Sequence, residues 1–136
     1  MPVYSITSNS KLSKATKLEL VNLFTDAHCS IMIAPEQFVH VLFTDGIPIR
    51  ENKRLYIHAN VRKGRAQDKI DRLSKMLIER SADIINVSPK DIYMNLLEIE
   101  AKWCMEGGHI MPDPGEEDEW MEKVTKALAA RDHEHA

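Results

Sequence analysis

The residues open to chemistry in this chain are few and scattered along it. Proline stands second, in "MPVYSIT". If Met1 is removed, Pro2 carries a free secondary amine, a base supplied by the backbone itself. A free α-amine ordinarily titrates at about pH 7.7–8.0, and a proline amine is more basic. Nearby arginines and an apolar pocket would lower that value toward neutrality, where a proton shuttle works best. With Met1 retained, the same nitrogen is a tertiary amide without a basic lone pair. Proline at a strand start is also common for purely structural reasons.

Arg62 and Arg65 stand three apart in "VRKGRAQD". Two guanidinium forks near a helix N-terminus suit a carboxylate, and Gly64 lets the backbone turn between them. A solvated basic turn is the plainer reading. His28 lies four residues after Phe24 and three before Ile31, on a helix's apolar edge. A lone histidine there is more often structural. Glu106 precedes Gly107 and Gly108 and reads, unaided, as a loop residue. Cys29 follows His28, but adjacent helix residues point about 100° apart and make a poor nucleophile–base pair. Trp103 and Trp120 read as lining a pocket or filling an interface, with core packing the plainer reading, and His133 and His135 as a polar tail. No Gly-rich phosphate loop and no zinc-type spacing is present.

These side chains need a frame, and the chain contains one twice. "IAPEQFVHVLFTD" (33–45) and "VSPKDIYMNLLEI" (87–99) both run apolar, small, proline, charged, polar, then an apolar strand. Pro35 and Pro89 are turn starts. Before the first lies an amphipathic helix with Leu20, Leu23, Phe24, Ala27 and Ile31 at helical spacing and Ser13 as its N-cap. Before the second, Ile70, Leu73, Leu77 and Ile84 recur in the same way. A strand precedes each helix, "PVYSITS" and "RLYIHANV". The expectation is an α/β (α+β) two-layer sandwich of duplicated β-α-β units, about 2–45 and 54–99. Its four-stranded sheet carries two helices on one face. The other face is expected bare and apolar, with Val39, Val41, Ile57 or their neighbours on it, so an oligomer is expected. Residues 100–136 form an extension, with a turn at "PDPG" and a helix over 116–131, acidic in its first turn.

The bulk numbers fit one globular domain, 1–136, with 43% hydrophobic and 29% charged residues. A net charge of −3 argues against a nucleic-acid binder. No apolar run reaches the ~20 residues of a membrane span, and no signal peptide is read. Two cysteines fit a reducing compartment, and a cytoplasmic location is expected.

A doubled β-α-β chain beginning Met-Pro resembles the tautomerase superfamily, in particular the cis-3-chloroacrylic acid dehalogenase group. The resemblance is carried by "MPVY", "TDAHC" (25–29), "VRKGR" (61–65) and "CMEGGHIMPDPG" (104–115), in order and at suitable spacing. It implies a cofactor-free, trimeric enzyme acting on a small carboxylate. The acid/base would be Pro2, and His28, Arg62 and Arg65 would bind substrate. Glu106 would activate water with an aromatic partner. The group's fourth-strand tyrosine is replaced by Asn95, which would contact substrate or hydrogen-bond Glu106 or a water, with Tyr93 two residues earlier as an incomplete substitute in binding substrate. The implied activity is keto–enol tautomerisation of a 2-keto/enol acid, or hydration or dehalogenation of a 3-substituted acrylate. A binding or cytokine-like trimer is the alternative on the same frame.

Overall fold

A computed structural model describes residues 1–134 of the chain. His135, the side chain of His133 and the end of the polar tail lie outside the described residues. Strand β1 (Val3–Ser8) leads into helix α1 (Lys14–Met32). Strand β2 (His40–Thr44) follows, then β3 (Leu55–Arg62), helix α2 (Gln67–Ile85) and β4 (Ile92–Ile99). The sheet order is β2-β1-β3-β4. Each β-α-β unit pairs its own strands in parallel, and the central β1–β3 pair is antiparallel. That central pair relates the two units by a pseudo-two-fold axis. The architecture is α+β, with a four-stranded mixed sheet and α1 and α2 packed against one face and against each other.

Local chemistry explains the helix ends. The Ser13 hydroxyl accepts from the Thr16 backbone N–H, capping α1. Helix α1 ends at Ile33 and α2 at Asn86, both in the left-handed conformation. Short 3-10 turns at Glu36–Phe38 and Pro89–Asp91 then aim the chain into β2 and β4. Pro35 caps the first turn and Pro89 opens the second, where a missing N–H costs nothing.

The core lies between sheet and helices. Tyr4, Ile6, Leu55, Ile57 and Ala59 pack beneath Leu20, Phe24, Ile31, Leu73 and Leu77, all nearly inaccessible to water. The expected helix stripes therefore do face the sheet. The expected bare face is corrected in two ways. Val41 and Ile57 point toward the helices, because pairing sets Tyr4 opposite Val41 and Ile6 opposite Ile57. Val39 also packs on that core. Alternation then leaves Val3, Ser5, Leu42, Tyr56, His58, Asn60, Tyr93, Asn95 and Leu97 on the open face, a mixed surface rather than an apolar one.

The extension forms a small hairpin, β5 (Met105–Glu106) with β6 (His109–Ile110), and helix α3 (Glu117–Glu134). Helix α3 runs past the expected end at residue 131 and has Glu117, Asp118 and Glu119 in its first turn, favourable for the helix dipole. Trp120 donates from its indole N–H to the Ile110 carbonyl at 2.6 Å and meets Phe38 edge-on. Trp103 departs from the expected core role: it is 73% exposed. Among the described residues no helix is long and apolar enough to cross a membrane.

Candidate active site

The antiparallel β1–β3 pair decides where the scattered residues meet. Val3 pairs with Asn60, so the start of β1 lies beside the end of β3. The amino terminus and Arg62 are thereby brought to one edge of the sheet. The hairpin β5–β6 closes over the same edge, and the Met1 amino group contacts the Glu106 carboxylate. Backbone bond lengths put that amino group within about 4 Å of the Pro2 nitrogen. Pro2 itself is buried, and its carbonyl accepts from the His40 N–H at 3.1 Å. A cleft of about 500 Å³ opens here, lined among others by Met1, Val3, His40, Asn60, Trp103 and Glu106.

His28 hangs from α1 into the core and is 3% exposed. Its Nδ1 lies 2.6 Å from the Tyr4 hydroxyl. Burial, reinforced by the charges of Arg65 and Arg62 and by the amino terminus, lowers its pKa to about 3. Burial pushes the Tyr4 hydroxyl well above its ordinary value. Both groups are therefore neutral near pH 7. In the tautomer in which Tyr4 donates to Nδ1, the ring proton sits on Nε2, as a donor.

Arg62 is almost wholly buried and has two partners. It donates to the Pro112 carbonyl at 2.6 Å and to Glu117 Oε1 at 2.9 Å. Arg65 lies 3.8 Å from the same oxygen. The Gly115 N–H donates to the other Glu117 oxygen at 2.8 Å. A carboxylate from the extension thus already rests between the two guanidinium groups. Gly64 makes this possible. Its φ is +111°, and a Cβ there would come within 3.1 Å of the Pro114 ring. Despite partial burial, hydrogen bonds from Arg62 and from backbone N–H groups hold the Glu117 carboxyl below its usual range. Burial, and then the Arg62 charge, lower Arg65.

Glu106 has a partner that the sequence reading missed. His40 Nε2 lies 3.2 Å from both carboxylate oxygens. Against the opposing effect of burial, the amino terminus and His40 hold the Glu106 carboxyl below its ordinary value. The signal for His40 was available only through pairing, which sets it opposite Val3.

Asn95 and Tyr93 do not join this cluster within the chain. Asn95 Oδ1 pairs with His58 Nδ1 at 2.9 Å, so Asn95 does not bond Glu106. Tyr93 donates to Glu51 at 2.8 Å. Both precede Ile99, which pairs with Arg62 at the site edge, by four and six residues, roughly 13 and 20 Å of strand. A larger cavity, about 620 Å³, lies near Tyr93 and Glu51, away from Pro2, His28, Arg62, Arg65 and Glu106. Among the described residues no group of three or more His, Cys, Asp or Glu side chains is placed to hold a metal ion.

No protein-family model and no curated protein sequence matches the chain. Solved structures do match. One is N1, a member of the cis-3-chloroacrylic acid dehalogenase family, with TM-score 0.85 and 25% identity over 95% of this chain and 96% of that one. A native fused 4-OT matches with TM-score 0.70 and 21% identity, over 79% and 94%. FG41 malonate semialdehyde decarboxylase inhibited by 3-bromopropiolate matches with TM-score 0.67 and 19% identity, over 77% and 88%. The chain therefore has the tautomerase-superfamily fold, with a cis-3-chloroacrylic acid dehalogenase family member among its structural neighbours.

Proposed function

We propose that this protein is a cofactor-free acid–base enzyme that uses the Pro2 amine on a small carboxylate substrate, after Met1 is removed. The observation that carries this reading is the convergence of the amino terminus, Glu106, His28 and two arginines on one edge of the sheet. A neutral Pro2 would take a proton from carbon in tautomerisation of a 2-keto/enol acid. A protonated Pro2 would give one to carbon during hydration or dehalogenation of a 3-substituted acrylate. The Arg65 and Arg62 charges that act on His28 would act on a Pro2 ammonium in the same sense and lower its pKa.

Arg65 is assigned the substrate carboxylate, because it is held less tightly by Glu117, at 3.8 Å, than Arg62, which lies at 2.9 Å and also donates to Pro112. The Glu117 contact supports this assignment: a carboxylate fits between the two groups. His28 would donate from Nε2 to a substrate oxygen. Glu106 would activate water. The working form is proposed to be a homotrimer in which the open sheet faces pack together. One structural neighbour at 22% identity is described as an asymmetric trimer.

Intact mass tells whether Met1 is absent. The Pro2→Ala variant is then assayed with phenylenolpyruvate and with cis-3-chloroacrylate. Turnover is expected to fall about 100-fold or more, the range of a lost general acid–base group. Unchanged turnover, or an active protein that retains Met1, removes Pro2 from the mechanism; no turnover of either substrate by the Met1-free protein favours the binding-protein reading.

A further inference from the structure

Glu106 has a base's role in the reading above, and a base must dispose of the proton it takes. Its neighbours make that demanding, since the amino terminus and His40 both favour the charged carboxylate. Asn95 and Tyr93 are engaged elsewhere, with His58 and Glu51. The side chain that does stand against Glu106 is His40. It is the first residue of β2, fixed by its pairing with Val3 and by its N–H bond to the Pro2 carbonyl. Its Nε2 is equidistant, at 3.2 Å, from the two Glu106 oxygens. Within the single chain Glu106 is 18% exposed and His40 46% exposed, so His40 is the more accessible member of the pair. Imidazole is the side chain that ordinarily changes charge near neutral pH, which suits a relay.

We propose that His40 is a positioning residue for Glu106, forming with it a dyad that aims the carboxylate and carries its proton out to solvent. This inference rests on the function proposed above and concerns only its water-adding branch. In that step the water oxygen bonds to carbon 3 of the acrylate. The water proton goes to a Glu106 oxygen and on to Nε2 of neutral His40 in its Nδ1-protonated tautomer, giving the imidazolium whose Nε2–H donates to the Glu106 carboxylate. The electron pair of the double bond takes the Pro2 proton at carbon 2. His40 then releases its proton to solvent, and Pro2 is reprotonated. The other titratable groups facing the dyad are the amino terminus, Cys104 before β5, and His109, which pairs with Glu106 across the hairpin.

The experiment compares hydration of cis-3-chloroacrylate with tautomerisation of phenylenolpyruvate, which consumes no water. His40→Gln keeps a hydrogen-bond donor but carries no proton. Its hydration kcat is expected to fall about 100-fold relative to its tautomerisation kcat, with KM changed less than about threefold. In His40→Ala, added imidazole should recover part of the lost hydration, and Glu106→Gln should show the same selective loss. Equal losses in both reactions, or no recovery with imidazole, overturns the dyad. A wild-type protein that tautomerises but does not hydrate overturns it and leaves Pro2 in place. A wild-type protein inactive in both assays overturns both readings.

Discussion

The two β-α-β halves share a backbone and differ in what they do with it. Helices α1 and α2 begin at Lys14 and Gln67, 53 residues apart. That shift carries His28 onto Ser81 and Tyr4 onto Ile57. In the first half a buried imidazole is paired with a buried phenol. In the second, the buried Ser81 hydroxyl has no partner among the described residues, and Ile57 is apolar. The same shift carries Asn9 and Leu12 onto Arg62 and Arg65. A repeated frame therefore yields a single candidate site. One edge of the central strand pair gathers the amine, the arginines and His28. The symmetry-related edge carries a serine-rich turn at Ser8, Ser10 and Ser13 around Arg54.

This asymmetry can be broken most strongly at His28. Its folded pKa, about 3, lies below the ordinary imidazole value of about 6.5, so the fold favours the neutral ring. Its contribution is fully present above about pH 6.5 and is lost as pH falls toward 3. At pH 4 the loss amounts to roughly 3 kcal/mol. Urea titrations of wild type and His28→Gln between pH 4 and 7 should show that difference; parallel curves would sink the assignment. Next in size is Arg62→Ala, which strands the Glu117 carboxylate and the Pro112 carbonyl. It should cost about 2–3 kcal/mol, less than a fully buried pair because Glu117 reaches solvent. Asn9→Ala at the equivalent place should cost less than about 1 kcal/mol. Equal costs would erase the distinction between the two edges.

A smaller effect is expected at Ser81→Ala. Removing a buried hydroxyl that has no partner should be neutral or stabilise by up to about 1 kcal/mol. A large loss would mean that the hydroxyl is bonded. The helix ends offer the mildest test. Both C-caps are left-handed, with φ 55° at Ile33 and 59° at Asn86. A β-branched residue is strained there and asparagine is not. Ile33→Asn should stabilise by about 1 kcal/mol, and Asn86→Ile should destabilise by a similar amount. Thermal melts of the two variants check the sign.

Much of the frame was legible in the chain. The stripes Leu20–Phe24–Ile31 and Ile70–Leu73–Leu77 determine two helices with one buried side each, because 3.6-residue periodicity needs only local geometry. The doubled pattern around Pro35 and Pro89 determines the repeat. Which strand face meets the helices was not legible. Val41 and Ile57 were expected on the open face, and a one-residue error in parity moves a whole strand's side chains across the sheet. The candidate residues Pro2, His28, Arg62, Arg65 and Glu106 could be named from sequence, but their meeting could not.

Local periodicity thus determined the elements, their duplication and the residues worth naming. Tertiary structure alone decided three contacts of the site: His40 on Glu106, Glu117 on Arg62, and Tyr4 on His28. These partners lie 66, 55 and 24 residues apart. Such contacts follow from strand pairing and from how the extension folds back, and neither is written in any local window of the sequence.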